Sequence, residues 1–271
     1  MNDIREKTPD KPIFYLDETW LNQNHTRSYI WQDSHIDGGL KIPTGKEARL
    51  ILVHIGLAKT GFIPQCKLLY KNTKSTSSDY HSEINSDIFR DWFLKMLNML
   101  KEPSVIVMDN ASYHSIELNK ALTTNSKKEI VQNRSNEKKI PFLPLETKVE
   151  LLEKVKMNKK KECVYELDEE AYKIGHEVVR LPPYHCQYNP IEFIWVQVKS
   201  EVATKNTTFK IADVEKLTHE AIENVTVDNW KKCVEHAERV QKEDAEKELV
   251  REIRLEPVIL TINPEDDDSS F

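Results

Sequence analysis

The chain has 271 residues, 39% of them apolar, enough to fill a sizeable core, so disorder throughout is excluded. Its 39 Lys and Arg against 45 Asp and Glu leave a formal charge of -6, so it lacks the overall basic signature of a protein that coats nucleic acid. Any nucleic-acid site must be local, and the charge is indeed uneven: residues 127–161 hold 11 basic and 5 acidic side chains, residues 235–271 hold 5 and 12. The four cysteines, Cys66, Cys163, Cys186 and Cys233, form no CxxC pair and have no zinc-finger histidine spacing, which reads as free thiols in a reducing compartment. His185 beside Cys186 reads as ordinary packing. No apolar stretch approaches the roughly 18 residues of a membrane span, and the polar start has no signal-peptide core. A soluble intracellular protein is expected.

Residues 1–12 read as a polar arm ending at Pro12. "IFYLD" (13–17) is an apolar run closing on an acid, the pattern of a strand buried on both faces. "SYIWQD" (28–33) and "ARLILVHIGL" (48–57) are the next strand candidates, separated by Gly38, Gly39, Pro43 and Gly45, and "GFIPQCKLLY" extends the meander. "NSDIFRDWFLKMLNML" (85–100) places Ile88, Phe89, Trp92, Phe93, Met96, Leu97 and Leu100 at helical spacing, with Asn85 or Ser86 to cap it and Pro103 to stop it. "SVIVMD" (104–109) is a second buried strand ending in an acid. The basic segment 116–175 reads as mostly helical and polar, interrupted by "KKIPFLPLET", and "EVVRLP" (177–182) is one more strand. A helix follows from Asn189, a third helical block (211–254) breaks near Val227, and the tail "NPEDDDSSF" is expected to be disordered. Strands first, then helices alternating with strands, predict an α/β fold with a mixed sheet covered on both faces.

The acids carry the functional signal. Asp17 and Asp109 each end a buried strand, and ligands of open α/β sheets bind outside such strand ends, so the two converge if their strands are neighbours. Asn189, Pro190 and Glu192 have the pattern of N-cap, first helical residue and capping-box partner. On that helix Ile191, Ile194, Trp195, Val198 and Val202 form an apolar stripe with Glu192 near its edge, where its carboxylate can lean over the sheet ends. Three converging carboxylates raise one another's pKa unless a cation neutralises them, and an all-oxygen donor set points to Mg²⁺ or Mn²⁺. A haloacid-dehalogenase-type phosphatase needs a second Asp two residues after the first; "DET" at 17–19 lacks it.

"YLDETWLNQNHT", "VIVMDNASYH" and "VRLPPYHCQYNPIEFIWVQVK", in that order, resemble the DDE superfamily endonuclease domain of Tc/mariner-like transposases over about residues 13–235. The resemblance implies an RNase H-like fold, a mixed sheet flanked by helices whose first and fourth strands are adjacent. It places the catalytic and metal-binding triad at Asp17, Asp109 and Glu192, with Asn110, His114 and Asn189 in the active-site shell. It implies two Mg²⁺ or Mn²⁺ ions, with Asp17 bridging both, and no nucleotide cofactor. A transposon endonuclease and strand transferase needs no covalent nucleophile, and no Ser-His-Asp or Cys-His arrangement stands out. DNA is the implied partner, a homodimer the implied assembly and the nucleus the implied location. "QNHT" (23–26) and "SDYH" (78–81) also look like family motifs. Transposases of this kind carry helix-turn-helix end-binding modules ahead of the catalytic domain, whereas about 12 residues precede the first strand here. The basic insertion at 116–175 resembles a SAP-type DNA-binding module, with Lys127, Lys128, Arg134, Lys138, Lys139 and Lys148 as candidate DNA contacts. Residues 236–271 read as a charged helix and acidic tail. The alternative is a non-catalytic, transposase-derived DNA-binding or interaction protein.

Overall fold

Among the described residues, six strands form one mixed sheet: β1 (Ile13–Asn22), β2 (Arg49–Leu57), β3 (Gly61–Phe62), β4 (Leu68–Asn72), β5 (Val105–Met108) and β6 (Glu177–Arg180). The computed structural model describes Arg5 and residues 10–26, 48–72, 86–118, 124–137, 139–143, 145–157 and 164–254. The strand expected at 28–33, the "SDYH" motif, Lys138, Cys163 and the acidic tail lie outside the described residues. The strand order is β3-β2-β1-β5-β6, and β4 pairs with the same edge of β2 as β3 does. β1 runs antiparallel to β2 and parallel to β5, which is parallel to β6. β1 extends five residues beyond the expected "IFYLD", because Glu18 to Asn22 pair with Val53 to Arg49.

Alternation along the strands sorts the core into two layers. Phe14, Leu16, Ile51, Val53, Ile106 and Met108 pack on one face, against Phe89, Trp92, Phe93 and Met96 of helix α1 (Ser86–Leu97). Tyr15, Leu21, Leu50, Leu52, Val105 and Val107 pack on the other, against the Ile191, Ile194, Trp195, Val198 and Val202 stripe of helix α5 (Pro190–Lys205). Each such side chain, fully buried, contributes about 1.5–3 kcal/mol before entropy is counted. Burial on both faces is why β1, β2 and β5 read as continuous apolar runs. Helices α6 (Ile211–Asn224) and α7 (Val227–Arg254) complete the second layer. Trp230 of α7 has no solvent exposure and lies against Gly56, where an added Cβ would come within 2.3 Å of the indole.

The basic insertion contributes α2 (Lys128–Glu137), α3 (Lys148–Met157) and α4 (Glu166–Lys173). Helices α2 and α3 enclose a separate core of Val131, Ile140, Leu151, Leu152 and Val155. α3 opens with a capping box, in which Thr147 N donates to Glu150 Oε2 at 2.7 Å and Glu150 N to Thr147 Oγ1 at 3.4 Å. The segment leaves and rejoins the sheet layer at one neck, where Leu118 N donates to Val164 O at 3.0 Å and Glu166 N to Ile116 O at 2.9 Å. The break expected near Val227 separates α6 from α7, and α7 then runs through residue 235 without interruption. Arg5 of the N-terminal arm docks on it, donating from Nη1 to Gln241 Oε1 at 2.8 Å and pairing with Glu238 at 3.1 Å.

Candidate active site

β1 and β5 are adjacent and parallel and pair as far as Tyr15 and Val107, so Asp17 and Asp109 each follow the last paired residue of their strand by two positions. Glu192 stands in the first turn of α5. All three acids line one cleft of about 400 Å³, together with Asn110, Ala111, Leu181 to Cys186 and Asn189. The candidate triad and two of its three expected shell residues are thus brought together. The third, His114, is fully buried behind Asp109, with Nε2 2.8 Å from Asp109 Oδ1, and Ala111 N donates to the same oxygen at 3.3 Å.

The capping box expected at Asn189 and Glu192 does not form: neither side chain caps the helix. Asn189 is buried and its Nδ2 donates instead to Leu16 O at 3.1 Å, satisfying a carbonyl next to Asp17 that has no access to water. Pro190 does occupy the first turn, as expected. Helix α5 is therefore fastened to β1, and this fixes Glu192 relative to Asp17.

Alternation on β1 separates two neighbouring acids. Asp17 faces α5 and accepts a 2.9 Å hydrogen bond at Oδ2 from Trp195 Nε1. Burial holds its pKa well above the usual carboxylate range, and Glu192, Glu18 and Asp109 push it further in the same direction. Glu18, on the other face, is raised to about 8, first by burial and then by Asp109. Glu192 is also raised, by burial and Asp109, against the opposing pull of Lys199. Lys199 is itself lowered by burial and sits 4.6 Å from the centre of the Trp20 ring.

So many carboxylates around one cleft, with Lys199 the cation that acts on both Asp17 and Glu192, form a donor set that fits divalent cations. Ligand atoms of Glu18, Asp109 and His114 also lie within 4.8 Å of one another. Sequence reasoning missed Glu18 and Lys199. Lys199 had a signal, since it follows Glu192 by two helical turns; Glu18 had the strand parity that turns it away from Asp17.

None of the described candidate DNA contacts lines the cleft. Lys127 and Lys139 are exposed and Lys128 is half-buried. Arg134 pairs with Glu137 at 3.7 Å, and Lys148 Nζ bonds Thr124 O.

A parallel strand pair that brings two acids to one cleft, faced by a helix that carries a third, defines an RNase H-like scaffold. Residues 66–217, more than half of the chain, match the family described as DDE superfamily endonuclease, and the chain belongs to that family. The matched stretch contains Asp109 and Glu192, while β1 and Asp17 precede it. No curated protein matches the chain in sequence. Among solved structures, the pre-cleavage Mos1 transpososome is similar with a TM-score of 0.53 and 11% identity, over 89% of this chain and 57% of that one. The Mos1 strand transfer complex is similar with a TM-score of 0.51 and 11% identity, over 89% and 56%. The shared feature is the fold, and the chain spans a little over half the length of those Mos1 chains.

Among the described residues no helix is long and apolar enough to cross a membrane.

Proposed function

We propose that the chain is the catalytic part of a Tc/mariner-like transposase, a metal-dependent endonuclease and strand transferase acting on DNA in the nucleus. The observation that carries this reading is the convergence on one cleft of Asp17 from β1, Asp109 directly after the adjacent parallel β5, and Glu192 from α5. When bound, two Mg²⁺ or Mn²⁺ ions supply activation of the attacking water or 3'-hydroxyl and stabilisation of the leaving oxygen. Asp17, Asp109 and Glu192 are the residues that would hold them. The remaining work of the chain is orientation: Trp195 fixes Asp17, His114 and the Ala111 amide hold Asp109, and Asn189 locks α5 to β1. The inserted module, with its own core and exposed lysines, offers cationic groups for phosphate contact. Pairing of two DNA ends by such an enzyme calls for a homodimer.

The test is nicking of supercoiled plasmid by the purified chain in Mg²⁺ or Mn²⁺. Nicking is expected, and Asp109→Asn or Asp17→Asn should reduce it by more than the about 10–100-fold that outer partners of a metal site cost. Activity that survives Asp109→Asn overturns the assigned site. Salt-dependent DNA binding without nicking in either metal would favour the non-catalytic alternative.

A further inference from the structure

Arg180, the last residue of β6, has a side chain only 10% exposed. Its Nε donates to both oxygens of Asp168 on α4 at 3.2 and 3.1 Å, and its Nη2 to Asp168 Oδ1 at 2.8 Å and His114 O at 2.9 Å. Nη1 donates to Ser115 Oγ at 2.9 Å and Asn110 Oδ1 at 3.4 Å, and lies 3.4 Å from His114 Nδ1. The guanidinium carbon sits 4.0 Å from the centre of the Tyr165 ring. This one group therefore ties together the two chain segments beside the neck, residues 114–115 and 165–168, and the loop that follows Asp109.

A guanidinium has donors only. The His114 Nδ1 that faces it must present its lone pair, so the ring proton belongs on Nε2. The other end of the ring gives the same answer, because Nε2 lies 2.8 Å from Asp109 Oδ1, an acceptor. The ring has no room to turn: its side chain has no exposure, and the Phe89 and Tyr113 rings stand 5.1 and 4.8 Å away, centre to centre.

We infer that Arg180 is a positioning residue: it fixes the Nε2–H tautomer and orientation of His114, and through His114 the Asp109 carboxylate, from the base of the inserted module. The catalytic consequence rests on the endonuclease reading; the tautomer does not.

The experiment is ¹⁵N NMR of the histidine side chains in the full chain, with the His114 signals assigned through His114→Gln. Wild type should show an unprotonated Nδ1 and a protonated Nε2. Arg180→Ala should give a tautomer mixture and lower nicking kcat on the order of 10–100-fold, with KM for plasmid held within about twofold. Arg180→Lys keeps a donor-only cation and should restore the Nε2–H signature and part of kcat. Asp168→Asn should shift both readouts in the same direction as Arg180→Ala but less, and with the wild-type spectrum it decides the matter if Arg180→Ala does not fold. A protonated Nδ1 in wild type, or a wild-type His114 signature in both Arg180→Ala and Asp168→Asn, overturns the proposal. So does a loss of kcat that follows KM and melting temperature. A wild-type chain that never nicks refutes the endonuclease reading while leaving the imidazole spectrum as the test of Arg180.

Discussion

The amide of Asn189 crosses from α5 to β1, and this decides what substitutions at the start of the helix can do. Glu192 makes no capping bond, so helix α5 does not depend on it. Glu192→Gln should leave the melting temperature unchanged or higher, since it removes one of the carboxylates that raise Asp17, while the proposed nicking is lost. Asn189→Ala leaves the buried Leu16 carbonyl without its partner and should cost about 1–3 kcal/mol in denaturant unfolding. The reverse pattern, with Glu192→Gln destabilising and Asn189→Ala neutral, would restore the capping role. Asp17, Asp109 and Glu192 were legible because the first two close apolar runs and the third begins a helix, where local pattern marks the place. Arg180 was not legible: its meaning depends on His114 and Asn110, 66 and 70 residues away.

At the scale of elements, the α1 and α5 stripes were legible from their 3.6-residue period, and the apolar runs of β2 and β5 from their double burial. The far half of β1 was not, because "ETWLN" mixes polar and apolar residues and becomes a strand only by pairing with β2. The insertion's three helices fall within the stretch expected to be helical, but the separate core of α2 and α3 depends on Val131 meeting Leu151, a contact no local period announces, and α4 packs its Leu167 and Ala171 into the core beneath α1. Close approach of elements is likewise invisible in sequence. β2 and α7 meet at Gly56, where a methyl group would stand 2.3–2.8 Å from three atoms of the buried Trp230 ring. Gly56→Ala should therefore cost about 1–3 kcal/mol through overpacking, read as a melting temperature lower by several degrees. An unchanged melting temperature would mean that α7 yields easily at this contact.

For the molecule as a whole, stability against pH is shaped by buried groups of opposite sign, the raised acids Asp17, Glu18 and Glu192 on one side and His54 on the other. His54, level with Asp17 on β2, accepts the Ile55 amide at 2.9 Å and stacks on Phe62 at 4.3 Å between ring centres. Burial, assisted by Lys67, lowers its pKa from 6.5 to about 3. The unfolded chain therefore binds a proton here between pH 6.5 and 3 that the folded chain refuses, and stability present above 6.5 is lost as pH falls, by up to about 1.4 kcal/mol per unit. Glu18 runs the other way, since its raised pKa gives stability that is present below 4.5 and lost as pH rises toward 8. The two trends oppose each other between pH 4.5 and 6.5, so the test compares variants rather than reading wild type alone. His54→Asn, measured by thermal melts, should gain stability relative to wild type as pH drops from 7 to 5; a constant difference would show that His54 takes up its proton in the fold.

The neck at residues 116–118 and 164–166 works as a socket. Its two backbone hydrogen bonds bring the chain back to where it left, so Asp109 and Glu192 keep their places whatever is plugged in between. Closing a longer loop across a fixed gap costs only slowly more, so the module can grow, shrink or be exchanged with little effect on the sheet. The chain that runs between Leu118 and Val164 is thus the cargo of the socket; the geometry of the site is set elsewhere, by strand register and by one asparagine.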